Sequence, residues 1–244
     1  MSPSHAVAAL LLLTGALAAE PVVEGDWPRW RGPYDTGVAR GPAPTKWSAS
    51  EGLQWKAEVP GRGFSSPVIW GDRIFLTTAI PSRVARPAPP PPAPPAAPAR
   101  KGGWAPRFSS GEELVEHEFV VMAFDRATGK EAWRQPAAKA TPHEGYHRQY
   151  GSFASNSPVT DGDVLVAFFG SRGVYAYDLD GKLKWSRTDF PPMRMRLSFG
   201  EGVAPVLHGN TLLLVFDHEG EDFLLALDKS TGKELWRTER DEIS

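Results

Sequence analysis

The residues best suited to chemistry lie in one short polar cluster in the middle of the chain. His143, Glu144 and His147 stand close together, and Arg148 follows directly. On a helix the two histidines would share a face, as paired metal ligands do. A proline before the cluster and a glycine inside it interrupt any helix, so the sequence predicts a loop. We name His143, His147 and Arg148 as candidate ligand-binding residues, with an ordinary solvated loop as the alternative and no metal expected.

Two further polar clusters have plainer interpretations. Asp217–Asp222 lacks the alternating ligand spacing of a calcium loop and stands between two apolar runs, which predicts a polar hairpin tip. Arg187, Arg194 and Arg196 would suit an anionic ligand or an ordinary connection between elements. The sequence has no cysteine, no Gly-x-Ser-x-Gly elbow and no phosphate-binding glycine loop. We therefore predict no catalytic residue.

An internal repeat supplies the framework for these clusters. An aspartate, a glycine and a tryptophan recur in order three times, and successive tryptophans stand roughly fifty residues apart. The three sets are Asp125, Gly129 and Trp133; Asp178, Gly181 and Trp185; and Asp228, Gly232 and Trp236. This spacing is close to the length of one four-stranded propeller blade.

Each part of the repeat has a physical role in such a blade. A Gly-Asp or Gly-Asn pair between apolar runs, as at Gly71-Asp72, predicts a hairpin. The repeated aspartate can accept hydrogen bonds from turn amides while the glycine supplies the turn geometry. The tryptophan ends the outer strand, where its large ring would cover the face shared with the neighbouring blade.

The predicted fold class is all-β, a β-propeller of four-stranded antiparallel blades in an incomplete ring. Residues 26–244 would supply about three blades, and Leu53–Lys56 would be an N-terminal closing strand. A Pro-rich insertion at about 81–116 stretches the first blade and is predicted to be a projecting loop rather than a partner-binding PxxP segment. Because three blades do not fill a ring of four to eight, we expect the native chain to continue past Ser244.

The N-terminus and the overall charge bear on location and partners. An apolar run at Ala6–Leu17, with small residues after it, predicts a signal peptide over residues 1–19 and a periplasmic or secreted protein. A buried helix or a short membrane anchor is the alternative. The formal net charge of -2 gives no reason to expect nucleic acid or an anionic membrane as partner.

The pattern Ala-x-Asp-x-x-Thr-Gly-Lys-x-x-Trp resembles the tryptophan-docking motif of pyrroloquinoline-quinone-type propellers. The copies at Ala123–Trp133 and Ala226–Trp236 match fully, whereas the copy at Ala176–Trp185 is one residue shorter and lacks the threonine. Trp27–Pro33 also resembles the first segment of bacterial secreted members of this group.

This resemblance implies a fold more strongly than an activity. Its superfamily includes quinoprotein dehydrogenases, in which pyrroloquinoline quinone and calcium lie on the propeller axis, and the outer-membrane assembly lipoprotein. The former typically use a cysteine pair and the latter a lipidated cysteine, and this chain has neither. We predict a scaffold that binds a protein or small-molecule ligand without a cofactor. The alternatives are a quinoprotein oxidoreductase with its site on further blades, and an outer-membrane assembly scaffold.

Overall fold

The computed structural model of the chain describes residues 25–41, 44–83, 113–195 and 197–241. Within these residues, twelve strands form three antiparallel sheets of four, each with its strands in chain order. Blade 1 contains β1 (Val68–Trp70), β2 (Arg73–Pro81), β3 (His117–Asp125) and β4 (Glu131–Ala140). Blade 2 contains β5 (Val159–Thr160), β6 (Leu165–Phe168), β7 (Val174–Tyr177) and β8 (Leu183–Arg187). Blade 3 contains β9 (Val206–His208), β10 (Thr211–Phe216), β11 (Phe223–Asp228) and β12 (Glu234–Glu239).

These sheets confirm the predicted all-β fold class. The predicted signal peptide, most of the Pro-rich insertion (84–112) and Ser244 lie outside the described residues. In the part that the structure describes, no helix is long and apolar enough to cross a membrane. The one helical element there is a 3₁₀ turn at Gly170–Arg172, between β6 and β7.

The core lies between neighbouring blades, and the middle strands of blade 2 pack against a neighbouring blade on both of their faces. Along β6, Leu165 and Ala167 join the cluster shared with blade 1, whereas Val166 and Phe168 join the cluster shared with blade 3. Successive side chains of a strand point to opposite faces, so a continuous apolar run is what a strand between two blades requires. This explains why β6 is apolar throughout.

The two outer faces of the described blades differ. Ala57, from the segment before β1, packs against the small cluster on the far side of blade 1. In blade 3, β10 is buried at alternate positions only, and every residue of β12 is exposed. Trp236, on β12, keeps 44% of its surface exposed.

The repeated aspartate closes the turn between the third and fourth strand of each blade. The carboxylate of Asp125 accepts hydrogen bonds from the backbone N–H and the hydroxyl of Thr128, at 2.8 and 2.7 Å. These bonds lower the pKa of Asp125. In the shorter turn of blade 2, Asp178 instead accepts from the backbone N–H of Asp180 and Lys182. The missing threonine is thus replaced by backbone donors.

Trp133 and Trp185 each stand at the third position of a fourth strand, not at its end as expected from the sequence, and each crosses to the turn of the next blade. The Trp133 indole N–H donates to the Leu179 carbonyl at 2.9 Å, and the Trp185 indole N–H donates to the Lys229 carbonyl at 2.8 Å. The acceptor is in both cases the residue directly after the repeated aspartate. The ring lies against the turn glycine, where any side chain would collide with the indole. We call this contact the indole joint.

Trp55 makes the same joint from the segment before β1. Its indole N–H donates to the Arg126 carbonyl at 2.9 Å, and its ring lies against Gly129. Residues 53–56 are nevertheless not assigned as a strand, which differs from the closing strand expected over Leu53–Lys56. No described strand lies beside them to supply ladder hydrogen bonds. The side-chain contact of an outer strand is therefore present without its backbone pairing.

Alanine variants of two glycines in blade 1 test how much the indole joint contributes to the free energy of unfolding. Gly129 (φ +70°) lies against Trp55, whereas Gly71 (φ +57°) has open space around it. Alanine at either position should cost about 1 kcal/mol for the left-handed backbone. Gly129→Ala should cost a further ~1–3 kcal/mol because the added methyl group displaces the indole. Urea unfolding of both variants measures the difference, and equal losses would contradict the indole joint.

Two tryptophans offer a second comparison. Trp185→Phe removes an N–H donor and ring area from the joint between blades 2 and 3, so it should lower the free energy of unfolding by about 1–3 kcal/mol. Trp236→Phe should change it by less than about 0.5 kcal/mol, because Trp236 makes no indole joint in the described blades and keeps 44% of its surface exposed. Both values come from the same urea titration. A Trp236 variant as damaging as the Trp185 variant would show that position along the strand matters more than the joint.

Candidate functional site

The connections between strands divide into two groups by the end of the blades at which they lie. Because neighbouring strands run antiparallel, the short turns that follow the first and third strand of each blade share one end. The other connections, β2–β3, β4–β5, β6–β7, β8–β9 and β10–β11, share the opposite end, which we call the loop end. All three candidate ligand residues lie there, in the β4–β5 connection.

His143 joins three connections of the loop end in one hydrogen-bond network. Its Nε2–H donates to the Met193 carbonyl at 2.5 Å, and its Nδ1 accepts from the Arg172 guanidinium at 3.1 Å. Met193 belongs to the β8–β9 connection and Arg172 to the β6–β7 connection. The backbone around His143 is irregular, as the sequence predicts, and His143 and His147 have different partners.

Glu201, which was not singled out from the sequence, is the centre of this network. Its buried carboxylate accepts from Arg172 at 2.6 Å, and from the hydroxyl and the backbone N–H of Ser171 at 2.8 and 2.6 Å. Both charged side chains are almost fully buried, so the pair depends on this set of hydrogen bonds for compensation. The Ser171 hydroxyl also accepts from the backbone N–H of Met193 at 2.7 Å. The network thus fastens the β6–β7 connection to the β8–β9 connection.

Glu144 lies beside the network and is only half satisfied. Its Oε2 accepts from the backbone N–H of Met195 at 3.0 Å, whereas its buried Oε1 has no hydrogen-bond partner in the described part of the chain. Burial raises the pKa of Glu144. A cavity of about 10 Å³, lined by Glu144, Arg172 and Glu201 among others, adjoins it. That volume is close to the ~10–15 Å³ needed for one water molecule, so it admits no organic ligand.

His147 and Arg148 face a different environment, a surface of aromatic and basic residues. The His147 ring stacks on Tyr150 and meets Phe199 edge-on, each with ring centres 5.1 Å apart. The Arg148 carbonyl accepts a hydrogen bond from Arg62 at 3.2 Å. We call this surface the loop-end patch; it consists of Phe64, His147, Arg148, Tyr150 and Phe199.

The structure separates the three candidate residues into two settings. His143 belongs to the buried network, whereas His147 and Arg148 belong to the loop-end patch. Sequence reasoning missed Arg62, which precedes β1 and meets the β4–β5 connection only in the fold. Its one local signal is the pair of glycines that flank it, which indicates a close backbone approach.

The other two polar clusters make local contacts in the described part of the chain. Asp217–Asp222 forms the tip between β10 and β11, where Asp222 accepts from the backbone N–H of His218 at 2.6 Å and Asp217 pairs with Arg240. Arg187 pairs with Asp189 and Glu234, and Arg196 lies outside the described residues. Among the residues that the structure describes, no group of three or more His, Cys, Asp or Glu could hold a metal ion. Glu201 is already paired to Arg172, so its carboxylate is not free to serve as a calcium ligand.

Comparisons with known proteins agree with this architecture. Residues 116–190 match the family model described as outer membrane protein assembly factor BamB. No curated protein matches the sequence. The solved structure of quinohemoprotein alcohol dehydrogenase from Comamonas testosteroni is similar to 88% of this chain, with 16% sequence identity and a TM-score of 0.51. The match covers 27% of that protein, so this chain spans about a quarter of its length.

Two other solved structures are similar over smaller parts. BamB from Moraxella catarrhalis matches 54% of this chain and 34% of its own, with 18% identity and a TM-score of 0.33. Quinohemoprotein alcohol dehydrogenase ADHIIG from Pseudomonas putida HK5 matches 76% and 22%, with 15% identity and a TM-score of 0.42. At these identities the likeness concerns the fold, and the Comamonas structure carries it. The three sheets therefore have the fold of β-propeller blades, and residues 116–190 are similar to the BamB family model.

Proposed function

We propose that this chain is part of a periplasmic or secreted β-propeller that binds a protein partner through its loop end and performs no catalysis of its own. The observation that carries the proposal is the loop-end patch. Phe64, Tyr150 and Phe199 are 45%, 75% and 40% exposed. Exposed aromatic side chains grouped with basic ones are typical of protein-binding surfaces.

The charge of this surface favours an acidic partner. The exposed Arg148 pairs with no carboxylate of the described residues, whereas Arg172 is paired to Glu201. An unpaired guanidinium beside aromatic rings suits a carboxylate on the partner, both by charge and by bidentate hydrogen bonding.

The buried network beneath the patch supports a binding role over a catalytic one. His143 and Glu201 are loop-end groups that could do acid-base work, and both are engaged in structural hydrogen bonds that include Arg172 as a shared partner. Such a network orders the connections that carry the patch. Binding surfaces gain affinity when they are ordered before the partner arrives.

The proposed periplasmic or secreted location and the names of the similar proteins suggest one more specific role and one competing function. A role in outer-membrane assembly, as the name of the matched family model suggests, is one form of the proposed protein binding. A quinoprotein oxidoreductase is the competing function, and it would require ligands for quinone and calcium beyond those of the described loop end.

Photo-crosslinking tests the patch directly. A photoreactive amino acid at Tyr150 should capture one defined protein from the native cell envelope, whereas the same group at the exposed Trp47 should not. Titration of the purified partner should then show that Tyr150→Ala combined with Arg148→Gln weakens binding at least tenfold, about 1.4 kcal/mol. Trp47→Ala serves as the matched control and should leave the affinity unchanged.

Two results would overturn the proposal. The first is equal crosslinking from both positions, or an affinity that the patch variants do not alter. The second is saturable binding of pyrroloquinoline quinone with calcium, accompanied by turnover of an alcohol or a sugar in a dye-linked assay. The second result would establish the oxidoreductase instead.

A further inference from the structure

A cleft separate from the loop-end patch lies where blade 1 meets the β4–β5 connection. Its volume is about 210 Å³, far above the ~10–15 Å³ that holds one water molecule, so it has room for a small organic ligand. The residues that matter for its chemistry are Arg62, Ala79, Pro81, His117, Tyr146 and Phe153. Nothing in the proposed protein-binding role requires this cleft.

The backbone of Arg62 is fixed against the edge of β2. Arg62 and Ala79 exchange two backbone hydrogen bonds, at 3.0 and 3.1 Å. A side chain at Gly61 would collide with the Ala79 carbonyl, and one at Gly63 would collide with the Thr77 carbonyl. Only glycine permits this approach on both sides. The Gly-Arg-Gly segment therefore places one arginine at a defined position on the rim of the cleft.

The guanidinium of Arg62 has neutral acceptors only. It donates to the Tyr146 hydroxyl at 3.3 Å and to the Arg148 carbonyl at 3.2 Å, and it lies 5.0 Å from the centre of the Tyr146 ring. No carboxylate of the described residues is within ion-pair distance. Since a guanidinium carries five N–H donors, these contacts leave donors available. Arg62 thus brings an uncompensated positive charge to the cleft.

The other walls are mostly apolar and their rings are held in place. The Phe153 ring meets both His117 and Tyr146 edge-on, each with ring centres 4.8 Å apart. Ala79 and Pro81 extend the apolar wall along β2. We propose that this cleft binds a small organic acid, with its carboxylate on Arg62 and its apolar or aromatic body against Phe153, Ala79 and Pro81.

Nuclear magnetic resonance of the full chain, with benzoate as the probe, tests the proposal. Benzoate should shift the backbone amide signals of Gly61, Gly63, Ala79 and Ser152 saturably. Benzamide, which has nearly the same shape without the charge, should bind at least tenfold more weakly, and so should inorganic phosphate, which lacks the apolar body. Arg62→Gln should weaken benzoate binding at least tenfold, whereas Arg40→Gln, an arginine that lies over Tyr34 instead, should leave it unchanged.

Several results would overturn the proposal: no saturable shift with benzoate, shifts centred elsewhere, or equal affinity for benzamide or phosphate. These comparisons use the unaltered chain, so they decide the matter even if Arg62→Gln fails to fold. Tyr150→Ala should leave benzoate affinity unchanged, since Tyr150 does not line the cleft. Failure of the protein-binding proposal and failure of this one are therefore distinguishable.

Discussion

A single contact between an indole ring and the turn of the next blade sets the arrangement of the described sheets. The ring requires a glycine at the point of contact, because any side chain there would collide with the indole. The indole N–H requires a backbone carbonyl as its hydrogen-bond acceptor. Both requirements are met by the same turn, whose geometry the repeated aspartate holds through hydrogen bonds to turn amides. The blade-to-blade spacing therefore follows from a local turn, and the apolar faces between blades meet because the turns have placed them in register.

The indole joints lie at one end of the blades, and the connections at the opposite end carry the candidate functional residues. His143, Arg172 and Glu201 draw three connections together through hydrogen bonds between groups that are mostly buried. The aromatic and basic side chains exposed above them rest on this network. Arg62 reaches the same region from blade 1, through a backbone anchored to β2. A buried hydrogen-bond network together with exposed aromatic and basic side chains is the arrangement expected of a binding surface.

How far the sequence could predict this molecule depended on the range of each interaction. The turn residues and the strands were predictable because aspartate, glycine and alternating or continuous apolar runs act within a few residues of one another. The buried network was not predictable, because its partners are far apart in the sequence. Glu201 bonds to Ser171 and Arg172 about thirty residues away, and His143 bonds to Met193 about fifty residues away. Leu53–Lys56 shows the same limit: the segment was predicted as a closing strand, but strand pairing requires a neighbour that local sequence cannot specify.

The indole joint accepts its hydrogen bond from the main chain, and this has an evolutionary consequence. The residue that supplies the carbonyl is Arg126, Leu179 or Lys229 in the three turns, so a cation and an aliphatic side chain serve equally well. Because only its carbonyl is needed for the joint, the side chain of Lys229 is available to pair with Asp161 of the preceding blade. Mutation can therefore drift widely at such positions while the architecture persists. Repeats with such a joint can keep a common fold while their sequences diverge, and the fold shared with the Comamonas structure at 16% identity is in line with this.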